Sequence, residues 1–418
     1  MAELKRSIGL ARGTFMMLNI VLGAGLLTLP GLAAQSAGSA APWIWVTCAL
    51  VAVPLLAVFA ILGRDHPSSG GIPAWVRTSF GDWAYIPSIL LFLGAVSVGL
   101  PSIAMTGGHY ASAIFGGDVH LLAAGLIAGA TLVNLVSAEV AGRINAAIAS
   151  MLLFVLVGMA IVGLATTDVA TATSASLAAP VMDISTFGVT FMMIFFAFTG
   201  WEVAANLAGE FKSPERTFPW AVALSFLAAV TLYLALAFVV LAAGPSAHGP
   251  APFAAIFSER FGEAGAWSIS LIATLLVFAN LSAAIWAVSR LVFSVSQDMV
   301  LPAALAHVTR GVPLRAVLTT TAVLLLVTAL SGNGAFSLSV LLEAAGQNFL
   351  LLYGAAAAAL ITLGRRKGHK VLGVVSIGLV TALLASRPIE ALNYPLALVL
   401  VGLIIAMART RRRRVTGT

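Results

Sequence analysis

Apolar residues run along this chain in stretches of roughly 20, each able to cross ~30 Å of hydrocarbon as a helix, with short polar connections between them. The stretches predict twelve membrane-spanning helices, near residues 13–33, 41–62, 84–115, 120–138, 144–165, 186–209, 219–243, 265–296, 314–331, 336–363, 371–386 and 392–408. Barrel strands would read as short segments of alternating polarity, which the sequence lacks. The segment GPAPFAAIFSERFG, 249–262, meets charges too soon to span and predicts a short external helix. The pattern is that of an all-α polytopic membrane protein. Composition agrees: 60% of the 418 residues are hydrophobic and 9% charged, against roughly 25% charged in globular proteins.

Charge then orients the spans. Arg12, Arg64, Arg77, Arg143, Lys212, Arg216, Arg290, Arg310, Arg315, the cluster Arg365–Lys370 and the tail from Arg409 all fall on the face shared with the N-terminus. Only Arg260 and Arg387 fall on the other. The excess of basic residues on cytoplasmic loops places both termini in the cytoplasm, with residues 1–12 as a short N-terminal segment and 409–418 as a basic tail. The net charge of +7 therefore sets topology and does not mark a nucleic-acid binder; the terminal RTRRRR anchors the last helix at an anionic leaflet. Cys48 is the single cysteine and sits in an apolar run, so no disulfide framework exists. MAELKRSIGLARG shows no cleavage site, and the first apolar segment is expected to be retained.

Two spans carry residues that do not belong in an uninterrupted helix. NIVLGAGLLTLP, 19–30, holds Gly23, Ala24 and Gly25 at mid-span. IFFAFTGWEVAANLAGEFK, 194–212, holds Gly200 and the ionisable Glu202. Small residues also serve as close-packing surfaces between membrane helices, but these interruptions fall at the same place in the first and sixth spans. Paired interruptions at corresponding positions of two halves point to a transporter's central site. Where a helix restarts, its unpaired N–H groups and positive dipole end suit a carboxylate; where the preceding half ends, free carbonyls suit an ammonium. A zwitterionic amino acid fits both. The amides of Ala24, Gly25 and Leu26 are expected to take the carboxylate, and the carbonyls near Ile20, Ala197 and Phe198 the amine.

These residues resemble those of the amino acid–polyamine–organocation (APC) superfamily. GAGLLTLP is similar to its first-span pattern of Gly, Ser or Thr, Gly, an aliphatic residue and Phe. FFAFTGWEVAANLAGEFKSPERTFPWA resembles its sixth span and exit loop, DHPSSGGIPAWVRTSFG the loop after the second span, and SRLVFSVSQDMVLP the end of the eighth. Within the superfamily the likeness is to bacterial L-methionine and branched-chain amino-acid exporters. It implies a LeuT-type fold: a five-plus-five inverted repeat, residues 13–165 and 186–363, plus two helices at 371–408, in the bacterial inner membrane. It further implies proton-driven efflux of neutral amino acids. Carried over residue by residue, Gly23–Gly25 and Phe198, Thr199 and Gly200 become backbone binders, Phe196 the aromatic gate, and Glu202 the acidic residue after the sixth-span break. Ala24 departs from the pattern, since relatives carry a hydroxyl there. The fifth span lacks the lysine that some relatives place near a vacant sodium site.

Glu202 and Glu343 are the acidic residues well inside spans and are the candidates for proton coupling. Glu343 otherwise reads as a polar contact on the outer side, with Gln347 one turn along the same face as its partner. Gly99 and Pro101 predict a break in the third span. Ser282 and Trp286 share a face of the eighth span, where they line the cavity or pack in the core, and Arg290 snorkels or pairs with an acid. No spacing suits a metal, a phosphate or a nucleophilic triad, so no cofactor is expected. The partners expected are a neutral amino acid, protons and the bilayer. The reading is export of methionine, leucine, isoleucine and valine by proton antiport, the aliphatic preference following from the resemblance and from Met192, Met193, Phe195, Phe196 and Phe198 near the site. The alternative is an importer or exchanger on the same scaffold. An enzyme or sensor would need a catalytic polar cluster or a soluble output domain, and neither is visible.

Overall fold

The computed structural model describes residues 8–67, 70–136, 138–178, 182–201, 208, 210–309 and 311–416. The described chain is helical, with two isolated bridges, Ile8 to Phe211 and Thr309 to Val312, as its only β pairing. In order the helices are α1 (Leu10–Val21), α2 (Leu29–Ala37), α3 (Ala41–Asp65), α4 (Gly71–Phe80), α5 (Asp82–Phe115), α6 (Val119–Val136), α7 (Ala138–Thr166) and α8 (Val169–Leu177). They continue as α9 (Ile184–Phe195), α10 (Pro214–Ala243), α11 (Pro252–Gln297), α12 (Leu314–Gly332), α13 (Leu338–Leu363), α14 (Lys367–Ala385) and α15 (Asn393–Thr416).

Among the described residues, eight helices are long and apolar enough to cross a membrane. They match the expected second, third and seventh to twelfth spans, the second being joined to α2 through the turn at Gly38–Ala40. The other four expected spans are not among these eight. The first and sixth divide into pieces such as Leu10–Val21 and Ile184–Phe198, the fourth is a short apolar helix, and the fifth lies within the 29-residue α7, after which the chain bends by 90° into α8. A helix rises about 1.5 Å per residue, so Leu10–Val21 and Ile184–Phe198 each cover only part of the hydrocarbon.

The expected short external helix forms the first turns of α11 and ends at Gly262, whose φ of 65° breaks the helix before the long span begins. The expected break at Gly99 and Pro101 is absent: α5 is continuous from Asp82 to Phe115. Proline is tolerated inside a membrane span, and the Ser102 hydroxyl next to it folds back onto the Gly99 carbonyl at 2.7 Å.

Helix α5 is the hub, packed against α4, α6, α11, α12, α13 and α15. It runs antiparallel to α11: Tyr85 Oη donates to Asp298 Oδ2 at one end, and Gly107 faces Val277 at the other. Ile8 pairs with Glu210 and Lys212, and Arg409 donates to the Asp298 carbonyl, so both chain ends share one end of the bundle with Arg64, Arg77 and Lys212. At the opposite end Ser36 bonds Thr190, Trp43 Nε1 donates to the Ser176 carbonyl, and Arg387 meets Glu343.

Candidate functional site

Helix α1 stops at Val21. Leu22 and Gly23 are non-helical, with ψ of 83° and 164°, and the chain restarts as a 3-10 turn, Ala24–Leu27, that leads into α2 with Pro30 in its first turn. Gly23 N–H bonds back to the Val21 carbonyl and Leu26 N–H to the Gly23 carbonyl. The N–H groups of Ala24 and Gly25 have no acceptor among the described residues. Helix α9 likewise stops at Phe195 and passes through a 3-10 turn, Phe196–Phe198, into extended Thr199 and then Gly200 with φ of +105°. Glu202 lies outside the described residues.

The two breaks touch. Their 3-10 turns pack together, and Gly200 lies so close to α1 that a Cβ there would stand 3.2 Å from both the Ile20 carbonyl oxygen and Val21 Cα. The positive φ and this approach both demand glycine. The Phe196 ring spans the junction, facing Gly25 on one side and Gly99 of α5 on the other.

Around the junction lies a cavity of about 440 Å³. Of the residues expected to bind, Ile20, Gly23, Gly25, Leu26, Phe196, Ala197, Thr199 and Gly200 line it, facing Ala95, Gly99, Ile103, Ala283, Ala284, Ala287 and Phe349. No Asp, Glu, Lys, Arg or His is among the described lining residues. A second cavity of about 480 Å³ adjoins it and shares Val96, Leu100, Ala284, Ala287 and Phe349 as a neck. It reaches Gly70–Ala74, Arg77 and Tyr85, so the central cavity opens toward the end that carries the chain termini. On the other side Tyr110 Oη donates to the Leu27 carbonyl, and Ser36, Thr190, Glu343 and Arg387 close the bundle.

Several expected placements are corrected. Ala24 is fully buried and offers the cavity wall no side chain. The Phe198 ring turns into the core, its centroid 5.1 Å from Tyr233 and 6.1 Å from Trp45. Two of the three carbonyls expected to take an amine already have donors: Tyr233 Oη reaches Ala197 O at 2.8 Å and Tyr353 Oη reaches Phe198 O at 3.4 Å. A carbonyl left unpaired in apolar surroundings costs several kcal/mol, and the protein meets that cost with its own hydroxyls. Ser282 is off the cavity wall, its carbonyl accepting from Asn134 Nδ2 at 3.0 Å. Trp286 is 36% exposed and stacks under the Arg290 guanidinium at 3.9 Å. Gln347 is off the cavity wall and is instead the expected partner of Glu343, with Nε2 2.9 Å from Oε1. The same oxygen accepts from Arg387 Nε at 2.7 Å, and Arg387 Nη1 reaches the Ser185 carbonyl at the start of α9.

Among the lining residues that sequence reasoning missed, two carry polar side chains, Asn19 and Asn280. Asn19 Oδ1 is buried without a hydrogen-bond donor. Their signal was an amide inside an apolar run, but Asn134 and Asn348 carry the same signal and are bound to backbone carbonyls one turn earlier.

Residues 8–408 match the family model of the amino acid permeases. The chain belongs to the amino acid permease family. This permease is 31% identical over 385 residues to the uncharacterized amino acid permease YecA of Bacillus subtilis, covering 87% of each chain. It is 31% identical over 303 residues to the L-methionine/branched-chain amino acid exporter YjeH of Escherichia coli, covering 71% of this permease and 72% of that protein. It is also similar to the E. coli cadaverine/lysine antiporter, 29% identical over 288 residues, or 66% of this permease and 63% of that protein.

Proposed function

We propose that this permease is a secondary transporter that exports neutral, mainly aliphatic amino acids such as methionine, leucine, isoleucine and valine. The observation that carries the reading is the meeting of two interrupted helices around a cavity with no charged side chain among its described lining residues, with the N–H groups of Ala24 and Gly25 left unpaired beside it. Those amides and the dipole of α2 take the carboxylate. Ile20 and Asn19, on the other side of the break, face the ammonium, and the alanines and phenylalanines receive the side chain. A basic substrate would find no acidic partner among the described lining residues, which favours the exporter-like reading over the cadaverine and lysine specificity of the antiporter relative.

In this reading the chain makes twelve spans in a five-plus-five inverted repeat with two added helices, both termini cytoplasmic. The described conformation then opens inward. Alternating access rocks the first, second, sixth and seventh spans against the third to fifth and eighth to tenth. Of the two candidate carboxylates, Glu202 is the one on which proton antiport would depend, since Glu343 is held by Arg387 and Gln347 off the cavity. The test is efflux of radiolabelled leucine and methionine from proteoliposomes with and without a pH gradient. Efflux accelerated by external acid supports proton antiport. Transport that needs unlabelled amino acid on the far side makes the protein an exchanger. No movement of either solute ends the substrate assignment.

A further inference from the structure

The in-span asparagines divide by what their amides do. Asn134 donates to the Ala130 and Ser282 carbonyls, and Asn348 donates to Ala344; neither lines the central cavity. Asn19 and Asn280 make no side-chain hydrogen bond among the described residues, and both line it. An amide held inside a membrane helix without a partner is expensive. Of these four described asparagines, the two whose Nδ2 groups donate to no described acceptor are the two that a solute in the cavity would reach.

The helix register places Asn280 at a defined height. Helices α5 and α11 are antiparallel, pinned by Tyr85 to Asp298 near one end and Gly107 to Val277 near the other. That register sets Val96 beside Ala287, Leu100 beside Ala284 and Ile103 beside Asn280, all of them lining residues. Gly25 shares the Phe196 ring with Gly99, and Leu27 is bonded to Tyr110, so the restarting turn climbs past the level of Ile103. Helix α11 packs directly on that turn. Asn280 therefore stands farther toward the closed end of the cavity than Ala284 and Ala287, and it lines that cavity together with Gly25 and Leu26 of the restarting turn, while Ala287 stands at the open neck.

We infer that Asn280 is a substrate-binding residue whose side-chain Nδ2–H donates to the α-carboxylate, as a third donor beside the amides of Ala24 and Gly25. The assignment rests on the amino-acid reading above. A carboxylate offers about four acceptor positions, and the methyl group of Ala24 supplies no donor of its own. The amide on α11 fills that role from across the cavity. It also ties α11 to the restarting turn when substrate is bound.

The test is calorimetric titration of the purified full-length protein with L-leucine and with L-leucinamide, which keeps the ammonium and the side chain but lacks the carboxylate. The parent protein should prefer leucine. Asn280→Leu should weaken leucine binding by roughly tenfold to a hundredfold, as loss of a hydrogen bond to a charged group does, and leave leucinamide within about twofold by the same reasoning. Asn280→Asp should repel leucine still more strongly and retain leucinamide, a sign that packing damage does not produce. If the parent binds leucine and the variants bind it equally well, or lose both ligands alike, the assignment is overturned and the amino-acid reading stands. A parent protein that binds neither leucine nor methionine ends the amino-acid reading, and the assignment with it.

Discussion

Arg387 Nε lies 2.7 Å from Glu343 Oε1, and the two side chains are only 7% and 10% exposed. The pair accounts for one of the two arginines that break the charge asymmetry of the loops: Arg387 sits on the sparsely charged side because a buried carboxylate on α13 holds it there. Through the Ser185 carbonyl it also fastens the connection between α14 and α15 to the start of α9. Breaking a buried pair leaves one uncompensated charge, at a cost of about 3 kcal/mol. Arg387→Gln and Glu343→Gln should each lower the thermal midpoint of the purified protein markedly. The double variant should recover most of the loss, because no lone charge remains. A double variant as unstable as the sum of the singles would show that the two residues act independently.

Gly200 should tolerate no side chain. Its φ is +105°, and an added methyl would meet the Ile20 carbonyl and Val21 Cα at 3.2 Å. Gly200→Ala pays for the strained backbone, about 1–3 kcal/mol, and also pushes the two breaks apart. Efflux of leucine or methionine should fall to background even where the protein still reaches the membrane, as immunoblotting of membrane fractions will show. Transport at half the parent rate or better would mean that the close approach is not needed.

Tyr233 and Tyr110 cap carbonyls of the two broken segments, at Ala197 and Leu27. Replacing either by Phe keeps the ring and removes the donor, leaving a buried acceptor unpaired at a cost of about 1–3 kcal/mol. Tyr233→Phe also frees the Ala197 carbonyl at the cavity wall to take an ammonium group. It should therefore lower thermal stability while leaving leucine affinity unchanged or tighter, whereas Tyr110→Phe should lower stability alone. Thermal denaturation with and without saturating leucine separates the two effects. Loss of leucine affinity in Tyr233→Phe would contradict this account.

The breaks were legible because glycine inside an apolar run is a local signal: Gly23, Gly25 and Gly200 interrupt their spans wherever the rest of the chain goes. The same signal failed at Gly99, where the helix continues. There the glycine makes room for a ring from another helix, which depends on tertiary packing. Arg387 was visible as an exception to the loop charges, but its partner lies 44 positions away in sequence and is brought to it only by the fold. The hydroxyls of Tyr233 and Tyr353 read from sequence as ordinary core aromatics. Only their position over the end of a broken helix makes them caps.

Gly99 and Phe196 supply the final prediction. A Cβ on Gly99 would lie 2.9 and 3.1 Å from atoms of the Phe196 ring, closer than carbon atoms sit without displacement. The ring lies between Gly99 and Gly25, beside Phe349 with centroids 6.4 Å apart, and it lines the cavity, so a displaced ring alters the space there. Gly99→Ala should thus keep the helix, since alanine favours it by about 1 kcal/mol, yet shrink the space beside the broken segments. Binding should weaken most for the bulkiest ligands: methionine and leucine several-fold, alanine and glycine little. The ratio of leucine to alanine affinity, measured on parent and variant by the same titration, is the decisive quantity. A ratio that does not move would mean that Phe196 lies outside the solute's compartment.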